Sequence, residues 1–160
     1  MDASDGRIAI LPHLVWQWAV EPRKISYYFK IYVNYSNAND NPPVKVWAVL
    51  NKLDKDHFLF HDGKKNDAVV IITSYQTLNI RHGSAKQAEW WVKKNKHQKI
   101  PDQTVLHRTF PDSLSGLFKI ALLDEVHMLW NVDSLLSIMI KWLDADFNLL
   151  LILMLAYNSL

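Results

Sequence analysis

Asp124, Glu125 and His127 close the apolar run "IALLDEVH" at residues 120–127. At the end of a strand, Asp124 can hold Mg²⁺ directly or through water, because the ion takes oxygen ligands and keeps several waters when it bridges phosphates. Glu125, one residue on, can polarise an attacking water. His127 can hydrogen-bond to a neighbouring strand end and report nucleotide state. The same letters also describe a charged strand terminus facing solvent, with a structural histidine beyond it. A second chemical feature is the charge distribution. Residues 81–108 carry seven Lys or Arg (Arg81, Lys86, Lys93, Lys94, Lys96, Lys99 and Arg108) against Glu89 and Asp102. Residues 109–160 carry six acids against Lys119 and Lys141. The basic stretch reads as a solvated helix face or as a surface for an anionic partner.

The elements that would position these groups follow from the apolar patterning. A chain of 160 residues, 49% apolar, suits one domain with a packed core. Its net charge of +2 is too small to argue for nucleic acid by itself. The absence of cysteine excludes disulfide frameworks and cysteine-held metals. The opening "MDASDGRIAILP" does not have the form of a secretory signal. The run "NLLLILMLA" at 148–156 is too short to span a bilayer, so no membrane is expected.

Residues 8–11, 44–50, 68–74, 119–125 and 148–154 read as strands, each a short apolar run bounded by turn residues or charges. "HLVWQWAVEPRK" reads as a short helix broken near Pro22. Residues 84–96 read as a helix with Ser84 as a cap, and 131–144 as a helix capped by Asn131 with Asp133 in its first turn. Residues 34–45 and 61–67 read as loop and turn, and 98–118 as mostly loop. Strands that are apolar throughout, alternating with helices, predict an α/β fold: three layers, a mostly parallel sheet with helices on both faces. Pro12, Thr73, Ser74, Asp124 and Glu125 then fall at carboxyl ends of strands, where such sheets place active residues.

Four blocks, in order, resemble the first RecA-like motor domain of the Swi/Snf-type helicases, a branch of helicase superfamily 2 of P-loop NTPase fold. They are "LPHLVWQWAVE" (11–21), "VIITSYQTLNIRHG" (70–83), "ALLDEVHMLWN" (121–131) and the flanks "WLDADFNLLL" and "YNSL". The resemblance covers residues 8–160 and is closest to fungal Swi/Snf-like proteins. Residues 1–7 are left as an unstructured remnant. The resemblance implies an ATP-dependent DNA helicase or translocase of the chromatin-remodelling type, with ATP and Mg²⁺ as cofactors, double-stranded DNA or chromatin as partner, and the nucleus as location. It makes Asp124 the Mg²⁺-coordinating acid, Glu125 the water activator, and His127 part of the same catalytic block. It turns Gln17, Trp18 and Thr73 toward the nucleic-acid backbone, with Lys93, Lys94 and Lys96 adding a salt-dependent attraction.

The sequence departs from that family in three ways. Its four glycines, Gly6, Gly63, Gly83 and Gly116, form no G-x-x-x-x-G-K-S/T phosphate cradle, which in the family lies upstream of "LPHLVWQW". Where the family has Thr-Ala-Thr-Pro, this chain has Ile152, Leu153, Met154 and Leu155, which offer no hydroxyl to hydrogen-bond. The family's second motor domain is not among these 160 residues. The expectation is a helicase-type domain by ancestry with negligible ATP turnover as an isolated chain. The alternatives are a non-enzymatic nucleic-acid-binding fragment and a non-functional truncated product. A strand missing beside "NLLLILM" would leave residues 148–155 as an exposed edge, so self-association is expected there unless a longer chain or partner supplies the neighbour.

Overall fold

The structure, a computed structural model, describes residues 8–11, 15–34, 47–49, 53–61, 68–96 and 98–151. Pro12, most of the 34–45 loop and the 61–67 turn, residues 1–7 and residues 152–160 lie outside the described residues. The fold is mixed α/β. In chain order it runs β1 (Ile8–Leu11), α1 (Val15–Ile25), β2 (Lys30–Val33), β3 (Trp47–Ala48), β4 (Val69–Ile72), α2 (Tyr75–His82), α3 (Ser84–Lys94), β5 (Ile120–Leu123), α4 (Leu135–Leu143) and β6 (Phe147–Leu150). Single 3₁₀ turns sit at Phe58–Phe60 and Val126–Leu129.

The strands form one sheet in the order β3-β2-β4-β1-β5-β6, and every neighbouring pair is parallel. Ile10 lies level with Ile72 and Leu122, so β1, β4 and β5 end together along one edge. β4 explains why apolar runs signalled a doubly covered sheet: all four of its residues are buried. Val70 and Ile72 pack with Ile31, Val33 and the α1 residues Val15 and Ala19 on one face. Val69 and Ile71 pack with Ala121, Leu123, Tyr75, Leu78, Met139 and Leu143 on the other. Helix α1 thus covers one face, and α2 and α4 cover the opposite one. α3 packs on α2. Each fully buried aliphatic side chain in these two layers contributes about 1.5–3 kcal/mol of burial. Among the described residues no helix is long and apolar enough to cross a membrane.

Several local expectations change. α1 does not break at Pro22 but runs on to Ile25, and the Ser26 N–H still reaches the Pro22 carbonyl at 3.0 Å. Proline costs the helix one donor, but Pro22 is buried, and tertiary packing outweighs the loss. α4 begins at Leu135 and not at Asn131. Ser134 caps it, accepting from the Ser137 N–H at 3.2 Å, while Asn131 accepts from the Asp133 N–H at 3.1 Å in the preceding turn. Ser84 is the first residue of α3 and not its cap; Gly83 holds the cap position. A Cβ on Gly83 would run into the Asn79 carbonyl and side chain, so the tight α2–α3 junction requires glycine. β2 and α2 are additions to the elements read from the sequence. Helix α2 starts where Ser74 accepts from the Thr77 N–H at 3.1 Å.

Candidate functional site

β1 and β5 are neighbours, but their connections leave in opposite directions. β1 leads through α1 to β2 on one side, and β5 leads through α4 to β6 on the other. Such a switch point opens a crevice at the carboxyl ends of the two strands, where parallel α/β sheets hold ligands. Asp124 is the first residue beyond β5 and stands at the carboxyl ends of these strands. Trp18 reaches it from α1, 106 residues earlier, and its indole N–H donates to Asp124 Oδ2 at 2.8 Å. Asp124 Oδ1 accepts from the Glu125 backbone N–H at 3.0 Å. The Tyr75 hydroxyl, from the first residue of α2, donates to the Asp124 carbonyl at 2.7 Å. Side chains from the segments after β1 and β4 therefore both hold the residue that follows β5.

Glu125 has a left-handed backbone, φ 54° and ψ 47°. That conformation costs a residue with a Cβ about 1 kcal/mol or more. It is the turn from β5 into the 3₁₀ segment, and it puts the Glu125 carboxylate 3.0 Å from His127 Nδ1. Glu125 is half-buried and His127 exposed. The contact is an ion pair only when the imidazole carries its proton. Burial pushes the Tyr75 phenol well above its ordinary range, and the Asp124 and Glu125 charges push it further, so the phenol stays a donor.

The remaining sequence candidates divide. Gln17 is exposed on α1, next to Trp18. Thr73 follows β4 but is buried, and its hydroxyl donates to the Asn34 carbonyl at 2.7 Å, tying the end of β2 to the end of β4. Arg81 of α2 donates to the Asn34 side-chain carbonyl. Lys93 pairs with Glu89 at 2.5 Å and Lys94 lies 5.1 Å from the Trp90 ring centroid, both on α3 itself, while Lys96 is exposed just after the helix. Asp124, Glu125, His127 and Trp18 are thus brought together, and the three lysines turn to their own helix or to solvent. Tyr75 and Asn34 were not singled out from the sequence. The one available signal was a tyrosine just past the Ser74 cap.

Mg²⁺ bridging phosphates requires a carboxylate oxygen turned outward and a cradle beside it. Both Asp124 oxygens accept hydrogen bonds from within the chain, and Glu125 faces His127. Among the described residues no group of three or more His, Cys, Asp or Glu converges as metal ligands. Comparison with protein-family models and with curated proteins finds no match for this chain.

Proposed function

We propose that this chain is a partial RecA-like domain of Swi/Snf-type helicase ancestry, with duplex DNA or chromatin in the nucleus as its setting. In this reading ATP turnover requires a phosphate cradle that these residues do not supply. The observation that supports it is the indole–carboxylate bond across the switch point. It joins "LVWQWAVE" to "ALLDEVH", two of the blocks that carry the resemblance. Asp124 and Glu125 sit at a strand end where an acid and a water activator would act.

The test has two arms. Mg·ATP titrated into the purified chain by calorimetry should show no binding tighter than about 1 mM, some −4 kcal/mol. A low-micromolar constant that Asp124→Ala abolishes would overturn the inactive-alone reading. Sequencing the transcript and locus upstream of Met1 tests the ancestry. An in-frame Gly-rich loop ending in Gly-Lys-Ser/Thr, about one βα unit away, supports a working helicase lineage, and unrelated sequence there would favour the non-functional truncated product.

A further inference from the structure

Helix α2 lies across the carboxyl edge of the sheet. Tyr75 in its first turn donates to the Asp124 carbonyl just past β5, and Arg81 in its last turn donates to the Asn34 side-chain carbonyl just past β2. Asn34 is fixed at that end by β4. Its N–H donates to the Ile72 carbonyl at 2.8 Å, and its own carbonyl accepts the Thr73 hydroxyl at 2.7 Å. Asn34 is fully buried, and its side-chain Nδ2 has no acceptor. Turning the amide over would set its N–H groups against a guanidinium that has only donors. Arg81 therefore holds Oδ1 toward itself and leaves Nδ2 as the open donor. Buried polar groups are nearly always paired, and a buried donor without an acceptor is costly to keep.

Arg81 is the other half of the arrangement. Lys24, Lys86, Lys93 and Lys119 each pair with a carboxylate at 2.5 to 2.7 Å. Among the described residues no carboxylate pairs with Arg81, and Asn34 is its hydrogen-bond partner. Its side chain is half-buried, where solvent screens a charge less than at an open surface. A guanidinium stays protonated and carries several N–H donors in a rigid fork. The bond to Asn34 leaves the rest of that fork open. The open fork and Nδ2 are neighbours, because Nδ2 and Oδ1 sit on the same carbon. They stand at the carboxyl ends of β2 and β4, the edge at which parallel α/β sheets hold ligands.

We propose that Arg81 and Asn34 bind a phosphate group. Its negative charge answers an unpaired guanidinium, and its oxygens answer two sets of donors. A carboxylate presents two oxygens in one plane, which the guanidinium fork alone can fill. A phosphate presents oxygens in several directions and takes the amide as well. A cation would meet only donors and a positive charge. Arg81 is the half-buried member and receives the phosphate first; Asn34 aims the guanidinium and adds the second donor. The phosphate can belong to a nucleic-acid backbone or to a soluble phosphate compound, since the recognising chemistry is the same. The site lies at β2 and β4, apart from Asp124 and Glu125, and does not rest on the ancestry proposed above.

The test is a titration of the full, isotope-labelled chain with inorganic phosphate at constant ionic strength, followed in proton–nitrogen correlation spectra. The Arg81 Nε–H and Asn34 Nδ2 resonances should shift together and saturate, with a dissociation constant of about 1 mM. Arg81→Gln should weaken binding about tenfold or more. Gln suits a helix and can still donate to Asn34 Oδ1, so this variant should melt as the wild type does. Arg81→Lys keeps the charge but loses the fork, and should also weaken binding about tenfold. The wild-type spectra decide the case independently of how the variants fold. The proposal is overturned if neither resonance moves below about 10 mM phosphate, or if either variant binds as the wild type does. It is also overturned if acetate at the same ionic strength shifts both resonances equally. A DNA duplex that displaces the phosphate assigns it to a nucleic-acid backbone, and one that does not assigns it to a soluble compound; both results support the site.

Discussion

Replacing Trp18 by Phe should show whether α1 is held to the end of β5 by the indole–carboxylate bond. The variant keeps an aromatic ring in the α1 layer but removes the donor to Asp124 Oδ2. A hydrogen bond to a charged acceptor contributes about 1.5–3 kcal/mol. Trp18 and Asp124 are both half-buried, so water can partly replace the lost donor, which puts the bond near the lower figure. Loss of the second ring removes about 1 kcal/mol more of apolar burial. The total is about 2–3 kcal/mol. At about 2–4 °C per kcal/mol for a domain of this size, Tm should fall by roughly 4–12 °C. The size loss and the bond loss can be separated by a double-mutant cycle with Asp124→Ala, measured by urea unfolding under far-UV circular dichroism. If the bond is real, the two substitutions should be coupled by about 1–2 kcal/mol. Additivity within about 0.5 kcal/mol would show that the two side chains do not support each other, and the case for two joined blocks would fail with it.

Tyr75 and β6 give two more tests. The Tyr75 phenol holds its proton in the fold to higher pH than in the unfolded chain, so its contribution is complete below about pH 10 and is lost as pH rises beyond that value. Stability should decline there by up to about 1.4 kcal/mol per pH unit from this group; denaturant melts from pH 9 to 11 on wild type and Tyr75→Phe should differ in slope, and parallel curves would refute the assignment. β6 is an edge strand whose four residues are all exposed, with Phe147, Leu149 and Leu150 in solvent and no charge from Phe147 to Leu151. Unprotected edges pair with other strands, so the isolated chain is expected to self-associate, and Leu149→Lys with Leu151→Lys should shift it toward monomer in size-exclusion chromatography with light scattering. A monomeric wild type that the lysines do not change would sink that expectation.

Elements whose signal is local were legible from the residues. β1, β4 and β5 are apolar runs stopped by a proline, by Thr-Ser and by Asp-Glu, and each strand lies within the stretch that its composition marks. Their near-uniform apolar character already implied a parallel sheet, because a strand covered on both faces has no polar side to show. Asp124 and Glu125 at a strand end followed from the same reasoning. β2 escaped because "KIYV" is short and alternates, with Lys30 and Tyr32 half-buried. It becomes a strand by pairing with β4, about forty residues on. α2 escaped because its buried apolar contacts, Tyr75 and Leu78, are few and follow a strand directly. The ends of α1, α3 and α4 moved because packing and competing caps, not intrinsic propensity, decide where a helix stops. Strand order was beyond any local pattern. The Trp18–Asp124 bond exists only because β1 enters the sheet between β4 and β5, and β6 is exposed only because nothing described lies beyond it. Periodicity tells each residue which face it prefers; which residues meet across those faces is set by crossovers whose energy is shared over the whole sheet, and only the tertiary structure carries that.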